Sequence, residues 1–86
     1  MDKYDFMFNW LKNATKQERH IKEMEGFAKK HPILFMKFHA ASKHIVSDEI
    51  NDEKYLKAKN ELIELFKENE DDFSPVFKAV KEKFNY

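Results

Sequence analysis

The sequence has no cysteine, one glycine and two prolines among its 86 residues. A secreted domain of this size usually depends on disulfides, so the lack of cysteine indicates a reducing compartment, and we expect a cytoplasmic protein. All-β domains need frequent glycine and proline turns, so the scarcity of both residues favours helices. A single glycine also excludes the glycine-rich loops that bind phosphate groups in nucleotide-binding proteins.

Long apolar runs and an N-terminal leader are missing as well. The longest uninterrupted apolar run is the four-residue segment 33–36, far short of the roughly 20 residues that a membrane-spanning helix needs. Asp2 and Asp5 lie within the first five residues, and the N-terminus has no basic region followed by an apolar stretch. We therefore expect neither a signal peptide nor a membrane span.

Apolar and aromatic residues are plentiful. Hydrophobic residues make up 42% of the chain and include nine Phe, three Tyr and one Trp. This content separates the chain from disordered proteins, even though 37% of its residues are charged. A chain of this length buries only about 60% of the surface of its unfolded state. We therefore expect one domain, residues 1–86, with a thin core.

Apolar residues recur every three to four positions, which predicts an all-α fold, a compact bundle of four to five short helices. The first predicted helix covers residues 3–13, with Asp2 as its N-cap. Thr15 and Glu18 have the spacing of a capping box, in which each side chain accepts a hydrogen bond from the backbone N–H of the other residue. This motif predicts a second helix that runs to about Lys30.

Proline residues predict the starts of two further helices, because proline at the first helical position loses no hydrogen bond. The pair His31-Pro32 ends the second helix and opens a third over about Pro32–Val46. After a polar connection, a fourth helix is predicted over about Asp52–Asn69, ended by the acidic stretch 68–72. Ser74-Pro75 then predicts the start of a fifth helix.

The third predicted helix is apolar on two sides, which is typical of a helix in the centre of a bundle. The main side consists of Leu34, Phe38, Ala41 and Ile45, and the second side of Ile33, Met36 and Ala40. If the second side is not covered, it offers an apolar surface to another molecule.

The sequence contains no constellation that predicts catalysis. Cysteine nucleophiles are excluded, and two of the four Ser and Thr hydroxyls, those of Thr15 and Ser74, are explained as helix caps. No two of the four histidines have the three- or four-residue spacing that would place both imidazoles on one helical face. We therefore expect that the protein is not an enzyme and that it binds no metal and no cofactor.

Aromatic residues are concentrated near the N-terminus, where four of the thirteen lie within residues 4–10. Aromatic side chains dominate the energetics of protein interfaces, and so small a bundle can hardly enclose all of them. The residues expected to bind a partner are Tyr4, Phe6, Trp10, Ile33 and Met36. The alternative, that these aromatics all serve the core, is the simpler interpretation and stays open at this point.

Charge is distributed unevenly along the chain. Residues 1–46 carry a net charge of +4 and residues 47–86 a net charge of −4, so the chain is neutral overall. A cluster on the second and third predicted helices consists of Lys29, Lys30, Lys37, Lys43 and His44. The two helices resemble a helix-turn-helix motif in which these side chains would contact nucleic acid. The neutral net charge, the single arginine and the lack of glycine in the turn argue against this interpretation. Simple solvation of the bundle surface also explains the lysines.

The sequence thus predicts a non-catalytic protein-interaction domain: a small regulator, inhibitor or adaptor that binds a larger macromolecular partner through apolar and aromatic helix surface. One alternative is a helical nucleic-acid-binding protein that uses the lysine cluster. The other is a homo-oligomeric structural protein, for instance a homodimer. Fifteen lysines against one arginine are typical of an AT-rich genome, such as that of a low-GC bacterium or its phage.

Overall fold

The computed structural model describes residues 3–46 and 52–84, and that part of the chain is helical without any strand. Its six helices, in chain order, are α1 (Asp5–Asn13), α2 (Lys16–Arg19), α3 (Lys22–Lys30), α4 (Pro32–Val46), α5 (Asp52–Glu68) and α6 (Glu70–Lys83). The predicted all-α class is confirmed, and the number of helices is higher than the predicted four to five. The proposed Asp2 cap and most of the polar connection after α4 lie outside the described residues.

The predicted second helix is in fact two helices, α2 and α3. The capping box at its start is confirmed, since the Thr15 N–H donates to Glu18 Oε1 at 2.9 Å and the Glu18 N–H donates to Thr15 Oγ1 at 3.1 Å. The helix ends at Arg19, and the next two residues, His20 (φ −91°, ψ 79°) and Ile21 (φ −104°, ψ 151°), have non-helical backbone angles. The break directs Ile21 into the core, and this burial offsets the helical hydrogen bonds that are lost.

The last helix begins earlier than the sequence predicts. Glu70 is its first residue, and Pro75 lies inside it rather than at its start. The acidic stretch 68–72 therefore does not simply end α5, since three of its residues form the first turn of α6, where negative charge is favourable. Starting at Glu70 brings Phe73 into the helix, and Phe73 is fully buried. Four buried residues of α6 have the i, i+3, i+4, i+7 spacing that places side chains on one face of a helix, namely Phe73, Val76, Phe77 and Val80.

The helices form a compact bundle. Both α4 and α6 pack against α1, α3 and α5. The radius of gyration of 12.1 Å equals the value of about 12 Å expected for a compact chain of this length. None of the helices that the structure describes combines the length and the apolar character needed to cross a membrane.

Phe66 of α5 lies at the centre of the core and is fully buried. Five other rings surround it with centroid distances between 5.1 and 6.3 Å, namely those of Tyr4, Phe8, Phe38, Phe73 and Phe77. Aromatic pairs of this kind contribute about 0.5–1.5 kcal/mol each beyond the area that they bury. Six of the thirteen aromatic side chains of the chain thus pack in one cluster.

Candidate binding site

The outward side of α4 carries large apolar side chains that no other described residue covers. Ile33 is 71% exposed, Met36 is 69% exposed, and Ala40 beside them is also exposed. We call these three residues the outer face of α4. They lie within about 60° of one another around the helix, opposite the buried Phe38 and Ile45. The helix packs against α1, α3 and α5 on its main apolar side, and its second apolar side, which the sequence offered as a contact surface if left uncovered, is exposed.

The aromatic residues near the N-terminus lie mostly in the core. Tyr4 and Trp10 are each only 1% exposed, so their expected role as partner-binding surface is corrected. Both rings are covered because α1 packs against both α4 and α6. Phe6 is half-buried, with its ring 5.8 Å from that of Phe77 and the Nζ of Lys81 4.7 Å from its centroid.

A groove with a volume of about 410 Å³ runs beside α4, between that helix and the segment α2–α3. We call it the α3–α4 groove. Its apolar walls are formed by Trp10, Leu11, Ile21, Met24, Ala28, Phe35, Phe38 and Val46. Its polar residues are Lys16, Arg19, His20, Glu25, His39, Ser42 and Lys43. A concave, mainly apolar site with a few polar groups is the usual form of a ligand-binding site.

The polar residues of the α3–α4 groove are mainly basic. Lys16 and Lys43 are exposed and have no ion pair among the described residues. Arg19 is held in place because its Nη1 donates to the backbone oxygen of Ala14 at 2.6 Å. Glu25 is the one carboxylate among the residues lining the groove, and its Oε1 lies 2.7 Å from His20 Nε2. The groove therefore offers an excess of positive charge to a ligand.

Trp10, at the wall of this groove, has an unusual polar atom. Its Nε1 is buried and makes no hydrogen bond within the part of the chain that the structure describes. A buried N–H group without an acceptor is rare in folded proteins, because desolvating it costs about 1–3 kcal/mol. The indole ring itself packs well, with the ring of Phe84 at a centroid distance of 6.2 Å.

The structure does not gather the predicted lysine cluster on one face. Lys37 and His44 border a second groove, between α4 and α5, whose other side carries three glutamates, Glu61, Glu64 and Glu68. Lys43 lies on the opposite flank of α4, at the α3–α4 groove. Lys30 borders a third groove, together with Asp71 and Asp72 of α6, and Lys29 is exposed at the end of α3. Of these three grooves in the described part of the chain, none is lined by more than two of the five residues, and acidic side chains lie close to three of them.

Two features of the site follow from tertiary packing and were not predicted. The α3–α4 groove depends on the break at His20 and Ile21, which turns α2 away from α3, and helix propensity does not reveal that break. Lys16 and Arg19 reach the groove only through the position of α2. Among the described residues no group of three or more His, Cys, Asp or Glu side chains is placed to hold a metal ion.

No protein-family model, curated protein or solved structure matches this chain.

Proposed function

We propose that this chain is a non-catalytic protein-interaction domain that binds a larger macromolecular partner through the outer face of α4. The observation that carries the proposal is the exposure of Ile33 and Met36, at 71% and 69%. Adjacent exposed apolar side chains of this size on a small protein are typical of a contact surface. Leu56, the third large hydrophobic residue that is exposed in the described part of the chain, lies on α5.

The charges that flank the outer face of α4 indicate the chemistry of the partner. Lys43, which has no ion pair among the described residues, lies along one flank of the helix. Lys37 and His44 lie along the other flank, where three glutamates of α5 line the same groove. Protein interfaces commonly combine an apolar centre with a polar rim of complementary charge. The partner that fits is a protein surface with an apolar pocket or ridge and with acidic side chains on the side that faces Lys43.

The experiment compares the wild type with the double variant Ile33→Gln/Met36→Gln. Glutamine retains helix propensity and removes the apolar surface, and both positions are exposed, so we expect an unchanged melting temperature. Leu56→Gln is the matched control, because it makes the same kind of change at an exposed position of α5. Each protein is immobilised, and a lysate of the source organism is passed over it.

A protein retained by the wild type and by the control, and lost with the double variant, would then be produced and titrated against all three. We expect the double variant to bind at least about tenfold more weakly, since two central apolar contacts are removed. Equal affinity of the three proteins would contradict the proposal. So would a dimeric wild type with a monomeric double variant in light scattering, which would mark the outer face as a contact between copies. A low-salt gel shift abolished by Lys37→Glu/Lys43→Glu would favour nucleic-acid binding instead.

A further inference from the structure

We propose that the α3–α4 groove is a binding site for a free fatty acid, a single unbranched acyl chain with a carboxylate head. This inference is separate from the proposed protein contact: the apolar residues of the groove differ from those of the outer face of α4, and of the residues named for the two sites only Lys43 borders both. It rests on the size of the groove, the apolar character of its walls and the charge around it.

The size of the groove suits a small molecule. Its volume of about 410 Å³ is within the range of roughly 300–1,000 Å³ found for small-molecule sites. The groove follows α4 from Phe35 to Val46, a distance of roughly 16 Å along a helix. An extended acyl chain can follow the groove over that length.

The walls provide the apolar environment that an acyl chain requires. Phe35 and Val46 are half-buried along α4, and Met24 of α3 and Ile21 before it face them across the groove. Each methylene group that leaves water for such a wall favours binding by a similar amount, so the affinity should rise with the length of the chain.

The charged residues determine which end group the site accepts. Lys16, Arg19 and Lys43 are three cations at one groove, while its single carboxylate, Glu25, is already engaged by His20. A carboxylate head would form charge-assisted hydrogen bonds with these side chains. A cationic head would be repelled, and a neutral alcohol would gain no ion pair.

Trp10 supplies the means of detection. It is the sole tryptophan of the chain, and it lines the groove. Its fluorescence therefore reports on the occupancy of the groove without a label. The whole chain is titrated with dodecanoate below the concentration at which the acid forms micelles, and the heat of binding is measured in parallel.

We expect saturable binding of one dodecanoate per chain with a change in Trp10 fluorescence. Hexanoate should bind at least about tenfold more weakly because it is six methylenes shorter. Dodecyltrimethylammonium and dodecanol should each bind at least about tenfold more weakly because they lack the anionic head. Lys16→Gln/Lys43→Gln should lower the affinity for dodecanoate by about fivefold or more. The matched control is Lys37→Gln, on the opposite flank of α4, and it should bind like the wild type.

Several results would overturn this inference. They are the absence of saturation, an affinity that does not depend on chain length, equal binding of the cationic amphiphile, and equal effects of Lys16→Gln/Lys43→Gln and Lys37→Gln. The lysine variants all replace exposed side chains, and a melting curve of each variant shows whether it is folded. The variant Ile33→Gln/Met36→Gln should bind dodecanoate normally, so a failure of this site and a failure of the protein contact can be told apart.

Discussion

The hydroxyl group of Tyr4 donates a hydrogen bond to Oε2 of Glu70 over 2.9 Å. It joins the residue before α1 to the first residue of α6. The other oxygen of the same carboxylate lies 2.8 Å from Lys3 Nζ, and these two contacts, that of Lys3 first, lower the pKa of Glu70. Because the Tyr4 ring is buried at the same time, 5.3 Å from that of Phe66, Tyr4 anchors the N-terminus to the centre of the core.

Replacing Tyr4 by phenylalanine should remove the hydrogen bond to Glu70 and leave the ring packing in place. We expect a loss of about 1 kcal/mol in the free energy of unfolding, and a melting temperature lower by about 4–8 °C. Thermal unfolding followed by circular dichroism measures both. Lys3→Ala, which removes the exposed partner of the same carboxylate, is the control and should have a smaller effect. An unchanged melting temperature of Tyr4→Phe would show that the hydroxyl contributes nothing.

Replacing Trp10 by alanine should destabilise the fold by about 3–5 kcal/mol, because it empties a large, fully buried volume. That is a large part of the 5–15 kcal/mol that holds a typical domain together. Trp10→Phe should cost clearly less, since phenylalanine fills part of the volume and lacks the buried N–H, for which the described residues provide no acceptor. Urea unfolding compares the two variants. Equal losses would contradict this expectation.

Replacing Gly26 by alanine should stabilise the protein by up to about 1 kcal/mol. Gly26 is exposed within α3, and a Cβ atom built at this position has no neighbour within 4 Å. Alanine lowers the entropy of the unfolded chain without introducing a clash. The midpoint of urea unfolding should rise, whereas Lys29→Ala, an exposed change in the same helix, should leave it nearly constant. A lower midpoint for Gly26→Ala would mean that α3 needs the flexibility of glycine.

Stability should fall at acid pH through Glu23 and Glu70. The hydrogen bond from Lys83 Nζ, 2.7 Å from Glu23 Oε1, lowers the pKa of Glu23 below its ordinary value of 4.5, and the pKa of Glu70 is lowered as described above. A carboxyl whose pKa is lower in the folded state stabilises the fold above its unfolded pKa, and this contribution is lost as the pH falls through the folded pKa.

The measurement is urea unfolding of the wild type and of Glu23→Gln at intervals from pH 7 to pH 3. We expect a shallow decline for the wild type below about pH 4.5, since water reaches both ion pairs, with the side chains of Glu23 and Glu70 25% and 47% exposed. The slope should be smaller in Glu23→Gln, which has one titrating group fewer. Identical slopes would show that the ion pair between Glu23 and Lys83 is not formed in solution.

Much of the fold was predictable from local chemistry. The capping box of Thr15 and Glu18 and the proline at position 32 mark helix starts that the structure confirms, because these signals act through neighbouring backbone groups. The spacing of apolar residues likewise predicted the buried side of α5, which includes Ala58, Leu62 and Phe66. The start of α6 was not, because the burial of Phe73 outweighed the local preference for a start at Pro75.

The sequence by itself determined the helical class and the apolar face of each long helix, since both follow from the spacing of side chains along one segment. Tertiary structure decided which apolar side chains stay in water. The sequence placed Trp10 and Met36 alike among the candidates for a partner surface, yet Trp10 is buried and Met36 is 69% exposed. The tertiary structure also created the α3–α4 groove, because the break at Ile21 is stabilised by burial against distant helices. Such contacts depend on residues far apart in the chain, and no local pattern contains them.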